Sequence, residues 1–236
     1  MSAIVSTVKL HLNRRESTFI VPLSIAGTVA VISVLIALIF WRSGSQPGTQ
    51  GWIQGSQSNP GIVYALAGFL GYLGVATVAT TFPFALTLGA TRRAFVAGTL
   101  IWDAITAAYV AIILAVLNTI EIATNHWFAG FYVFDIYVLG GGDTLRLLLI
   151  VFLGVLTTLT IGGVFAASWV RFGARGPQLI AAGLIIALAI AVIILVPQAA
   201  TIAAAFQLWW LAIAAVVAVT LSGAGTWLLL RPAIVR

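Results

Sequence analysis

Apolar residues gather into six long runs, 19–40, 62–86, 95–117, 145–170, 179–196 and 208–230, and the segments between them carry nearly all the charge. A helix rises about 1.5 Å per residue and the hydrocarbon core of a bilayer is roughly 30 Å thick, so about 20 apolar residues make one crossing. The pattern therefore predicts an all-α membrane protein with six transmembrane helices in a single domain, residues 1–236. Ahead of the first run, "MSAIVSTVKLHLNRRES" (1–17) spaces Met1, Val5, Val8 and Leu12 as one helical face, with Ser2, Ser6, Lys9 and Asn13 on another. This spacing predicts an amphipathic helix lying at the membrane surface. The run that follows is 22 residues long and lacks an A-x-A-like site. It exceeds a signal-peptide core and is expected to stay attached.

Composition sharpens this picture. Hydrophobic residues make up 62% of the chain and charged residues only 7%, against roughly 25% charged in a soluble domain. The net charge of +6 raises the alternative of a nucleic-acid partner, but the basic residues are dealt out at the turns and not gathered on one face. With the N-terminus in the cytoplasm, Lys9, Arg14, Arg15, Arg92, Arg93, Arg171, Arg175, Arg231 and Arg236 lie inside, leaving two of the eleven, Arg42 and Arg146, outside. This is the asymmetry of the positive-inside rule, and it predicts a multi-pass protein with both termini cytoplasmic.

The connections differ in character. The first outer segment, "RSGSQPGTQGWIQGSQSNPG" (42–61), is rich in Ser, Gly and Gln and reads as a flexible exposed hairpin. The second, 118–143, concentrates Trp127, Phe128, Phe131, Tyr132, Phe134 and Tyr137. Aromatic rings with polar edges favour the headgroup region, so this segment is expected to lie along the outer interface. Trp127, Phe128, Phe131 and Tyr132 are candidates for an outer gate; a plain interfacial anchor is the alternative. Gly68, Gly71 and Gly74 fall inside an apolar run and suggest close helix packing, and Thr157, Thr158 and Thr160 can hydrogen-bond between helices. Pro83 is expected to kink the second span, and Pro197 to end the fifth.

Several chemistries are excluded or weak. A P-loop needs Gly-Lys-Ser/Thr, and Lys9 is the only lysine. Cysteine is absent, and the two histidines, His11 and His126, are expected on opposite sides of the membrane, so neither a thiolate site nor a zinc hydrolase fits. "GGGD" (140–143) matches a G-x-G-D protease motif, but Asp143 falls at the mouth of a span and reads as a helix start. Asp103 lies eight residues into the third run and is a candidate intramembrane polar site. It either serves a cation or proton pathway or pairs with Arg14, Arg15 or Arg171.

The turn "LGATRRAFVAG" (88–98) joins the second and third spans. Together with the surface helix, the six spans and the basic turn "RFGARG" (171–176), it resembles the coupling element of ABC-2-type transporter permeases. The resemblance implies that Gly89, Ala90, Thr91, Arg92 and Arg93 dock on a separate ABC ATPase subunit. It further implies that a second permease copy or paralogue completes the pathway in the plasma membrane, that this chain binds no cofactor and is not itself an enzyme, and that ATP and Mg belong to the partner. Gly89 would permit the tight turn and the arginines would pair with carboxylates. The alternative is an ion- or proton-coupled secondary transporter using Asp103.

Overall fold

The computed structural model describes residues 3–233, with only the backbone for Phe128. It is all-helical among the described residues: α1 (Ala3–Leu12), α2 (Val21–Arg42), α3 (Gln50–Gln57), α4 (Gly61–Thr87), α5 (Arg92–Ala123), α6 (Thr144–Phe172), α7 (Arg175–Leu195), α8 (Ala199–Ala205) and α9 (Leu208–Leu230). Six helical stretches are long and apolar enough to cross a membrane, namely Glu16–Arg42, Gln50–Thr87, Arg92–Ala123, Thr144–Phe172, Arg175–Ala205 and Leu208–Leu230. This is the architecture of a multi-pass membrane protein. Each apolar run of the sequence falls on one of them.

The chain divides into two compact units, and α4, α5 and α6 each contribute a part to both. The first unit combines residues up to His11, Leu73–Ile101 and the chain from Leu159 onward. Its core packs Val78, Phe82 and Ala85 of α4 against Phe95 and Val96 of α5, Ala166 and Ala167 of α6, and Leu230 at the end of α9. Phe82 and Phe95 meet edge to face at 5.1 Å. Small residues set the approach. A Cβ on Gly74 would stand 2.4 Å from the Leu159 carbonyl oxygen, so α4 and α6 touch backbone to backbone there. Pro83 lies within the continuous helix α4.

Within the same unit α1 docks on α5. A Cβ on Gly98 would come within 2.7 Å of Thr7, so the missing side chain is the seat of Thr7. His11 is buried beside it, its Nε2 3.0 Å from the Thr99 hydroxyl, and its ring meets Phe95 edge-on at 5.6 Å. The Thr99 hydroxyl itself donates to the Phe95 carbonyl, which leaves its oxygen to accept an N–H from His11. The helix is thus anchored by Thr7 and His11, polar residues that the amphipathic reading did not place inside, while Val5 stays exposed. Met1 and Ser2 lie outside the described residues. By contrast α7 is apolar all round and buries only Gly176, as expected of a helix facing lipid or another chain. The fifth stretch does not stop at Pro197: a short 3₁₀ turn, Val196–Gln198, leads into α8.

The second unit comprises Leu12–Tyr72 and Trp102–Thr158. A single wide turn, Glu16–Ile20, leads into α2, and Tyr109 of α5 fixes it by donating its hydroxyl to the Phe19 carbonyl at 2.9 Å. The 42–61 segment is mostly exposed, as read, but it contains the helix α3. Thr49 caps α3 by accepting the Trp52 N–H, and Trp52 is buried, its indole donating to the Gly130 carbonyl at 2.7 Å. A Ser- and Gln-rich segment becomes ordered because one aromatic ring gains a buried partner on the next connection. Gly71 meets Thr158 at ordinary contact distance, and nothing lies within 4 Å of a Cβ on Gly68. Thr158 does not bond between helices; its hydroxyl turns back to the Gly154 carbonyl of its own helix.

Candidate functional site

The turn between α4 and α5 is rigid for reasons visible in its residues. Gly89 has φ +81°, the left-handed conformation that glycine adopts without a steric penalty. The Ala90 N–H reaches the Ala85 carbonyl and the Gly89 N–H the Leu86 carbonyl, both at 3.0 Å, the pairing of a Schellman motif. Thr91 then caps α5, its hydroxyl accepting the Ala94 N–H at 3.2 Å. One helix is therefore closed and the next opened within the four residues 88–91, and no slack remains between them.

The two arginines of this turn have different surroundings. The Arg92 guanidinium donates to the carbonyls of Arg231 and Ala233, just past the end of α9. The Arg231 carbonyl, at the C-cap of α9, lies at the negative end of the helix dipole, and the fork of Arg92 can reach it and the Ala233 carbonyl together. Arg93, like Thr91 and Gly89, is exposed. Sequence reasoning treated the arginines as a pair; the structure assigns one to holding the last span and leaves the other on the surface. On the neighbouring turn, Arg171 lies over the Phe172 ring at 4.7 Å, and Gly176 is pressed against the Ser168 carbonyl.

Asp103 is buried, 3% exposed, and forms no hydrogen bond or ion pair with another described residue. Arg14, Arg15 and Arg171 are exposed, and none pairs with it, so the expected structural pairing is absent. The reason is the side of the helix on which it sits. Asp103, Thr106, Val110, Leu114, Asn118 and Glu121 form one buried stripe at helical spacing along α5. The Thr106 hydroxyl and the Asn118 carbonyl oxygen on that stripe are also buried without a hydrogen-bond partner.

The last residue of the stripe organises the aromatic segment. Glu121 is fully buried, and one of its carboxylate oxygens accepts the N–H groups of Val133 at 3.1 Å and Asp135 at 3.2 Å. The other accepts the Phe134 N–H and the Trp127 indole N–H, both at 2.9 Å. Four donors fill the acceptor sites of one carboxylate. Nearby, His126 contacts Asp135 at 3.1 Å and stacks on Tyr132 at 3.9 Å. Burial, and then the charges of Asp135 and Glu121, push the Tyr132 phenol above its ordinary value. Asn125, His126 and Trp127 all have positive φ, 52°, 58° and 58°, a conformation costing about 1–3 kcal/mol per non-glycine residue. The bonds to Glu121 hold that strained turn in place.

The aromatic segment thus folds into a cap fastened to the end of α5. Trp127 and Phe131 line one apolar cavity, Tyr132 instead stacks on His126, and Phe131 also packs against Trp52. The side chain of Phe128 lies outside the described residues. Sequence reasoning missed Glu121 because it counted the residue with the loop. Its signal was the spacing: Glu121 continues the buried face of α5 beyond the end of the apolar run. Asp143 behaves as read, its carboxylate capping α6 through the Arg146 N–H at 3.0 Å.

Under the cap is an apolar cavity of about 580 Å³ between α2, Leu117 of α5 and the 127–134 segment. A second one, about 140 Å³, lies among α4, α5, α6 and the Val138–Leu139 turn. Among the described residues no group of three or more His, Asp or Glu side chains is placed to hold a metal ion. No protein-family model, curated protein or solved structure matches this chain.

Proposed function

We propose that this chain is the permease subunit of an ATP-driven exporter of the ABC-2 type, residing in the plasma membrane with both termini in the cytoplasm. The observation that carries the reading is the α4–α5 turn. Two spans are joined without slack, and Arg92 ties the same turn to the end of a third span. A push on Gly89, Thr91 and Arg93 would therefore reach α4, α5 and α9 together. Such a turn suits docking on a separate ABC ATPase, where ATP and Mg are bound and hydrolysed; the permease supplies the pathway and no cofactor. The uncovered face of α9 fits a second permease copy or paralogue. A non-hydrolysable ATP analogue added to the assembled complex tests this reading. Spectroscopic distances between labels on α5 and α9 of the two copies are expected to change, and unchanged distances favour a passive scaffold.

One observation favours a second reading. Asp103 is a buried carboxylate with no partner among the described residues, the arrangement expected of an ion- or proton-coupled transporter. Transport driven by a pH gradient in vesicles lacking ATP, and abolished by Asp103→Asn, would replace the first reading with this one.

A further inference from the structure

The cavity under the cap has the shape and chemistry of a slot for a hydrocarbon chain. Its long wall is α2, from Leu23 through Gly27 and Val31 to Leu35. That run covers about 18 Å at the helical rise, close to the roughly 15 Å depth of hydrocarbon in one leaflet. Leu23, Val31 and Leu35 are each about half exposed, so the slot is continuous with the lipid-facing flank of the span. Its roof is Trp127, Phe131, Val133 and Phe134. The indole N–H of Trp127 and the backbone N–H groups of Val133 and Phe134 are all turned to Glu121, which leaves these residues to offer carbon to the cavity. A polar head group has no partner there. A volume of about 580 Å³ lies within the range of small-ligand pockets, and the length along α2 favours an extended chain over a compact molecule.

We propose that this slot binds one hydrocarbon chain of a membrane amphiphile, entering sideways from the adjoining leaflet while the head group stays outside. Glu121 is the positioning residue: it touches no part of the chain, and it holds the roof of the slot in place. The inference rests on the second unit alone and is independent of the ATPase assignment.

The test uses the full-length protein in lipid nanodiscs containing a small fraction of phosphatidylcholine with a diazirine at the end of one acyl chain. After illumination, labelled residues are mapped by mass spectrometry in the wild type, Gly27→Phe and Glu121→Gln. A Cβ at Gly27 meets nothing within 4 Å, so the phenyl ring can occupy the slot without displacing backbone. The expected result is label on Trp127, Phe131 and Leu117 above the level on the exposed face of α7 at Ile190 and Ile193. That cap label is lost in Gly27→Phe, while the α7 label is unchanged. Glu121→Gln is expected to lose cap label in the same way. If Glu121→Gln fails to fold, the Gly27→Phe comparison decides alone. Cap label no stronger than that of α7, or undiminished in Gly27→Phe, overturns the proposal.

Discussion

Glu121 and Trp127 stand six residues apart in the chain, and the indole N–H of Trp127 donates to the fully buried Glu121 carboxylate at 2.9 Å. The same carboxylate gathers three backbone N–H groups from the far side of the segment. One acidic residue therefore closes a loop that local conformation opposes. In Glu121→Gln the amide nitrogen brings two further donors to a site that already holds four. Each buried N–H left without an acceptor costs about 1–3 kcal/mol. Limited proteolysis is expected to cut within 124–143 faster in the variant, with tryptophan fluorescence shifting to the red; equal cleavage rates would contradict the anchoring role.

The division of labour between Arg92 and Arg93 gives a second prediction. Arg92→Ala removes charge-assisted hydrogen bonds worth about 1.5–3 kcal/mol and is expected to lower the thermal unfolding temperature in detergent. Arg93→Glu is expected to leave that temperature unchanged and to weaken association with the ATPase. Equal effects of the two substitutions on stability would show that the Arg92 contacts to Arg231 and Ala233 do not secure the end of α9.

Glycine packing is tested by neighbours on one helix. Gly74→Ala forces a Cβ to within 2.4 Å of the Leu159 carbonyl, an overpacking expected to cost about 1–3 kcal/mol. Gly68→Ala meets nothing within 4 Å and is expected to be neutral or slightly stabilising. Thermal aggregation of the two variants in the same detergent reads the difference directly.

Alkaline pH should act on the cap. The Tyr132 phenol lies above its ordinary value because of burial and the carboxylates of Asp135 and Glu121. A raised value means the folded cap holds its proton more tightly than the unfolded chain. The associated stability is complete below the unfolded value near about 10 and is lost as pH rises through the higher folded value. Proteolysis of the cap in the wild type is expected to accelerate over that interval, and Tyr132→Phe should remove this component.

Much of the fold was legible in the sequence because membrane crossing needs length and apolarity, and both are local properties. All six runs became helices, and Gly89 announced the turn by its own conformational freedom. What was not legible depended on partners distant in the chain. Trp52 orders its segment through Gly130, 78 residues away; Arg92 finds its acceptors 139 and 141 residues on; His11 is seated by Thr99. The absent pairing of Asp103 with arginine has the same origin, since the helical face, not depth in the span, determined its surroundings.

Purification from native membranes tests the proposed ATPase partner most directly. A C-terminally tagged chain, extracted in mild detergent, is expected to carry a P-loop ATPase at equal stoichiometry, and Arg93→Glu is expected to lose it while remaining folded. Recovery of an intact homo-oligomer with no nucleotide-binding partner would contradict the account and turn attention to the buried carboxylate of Asp103.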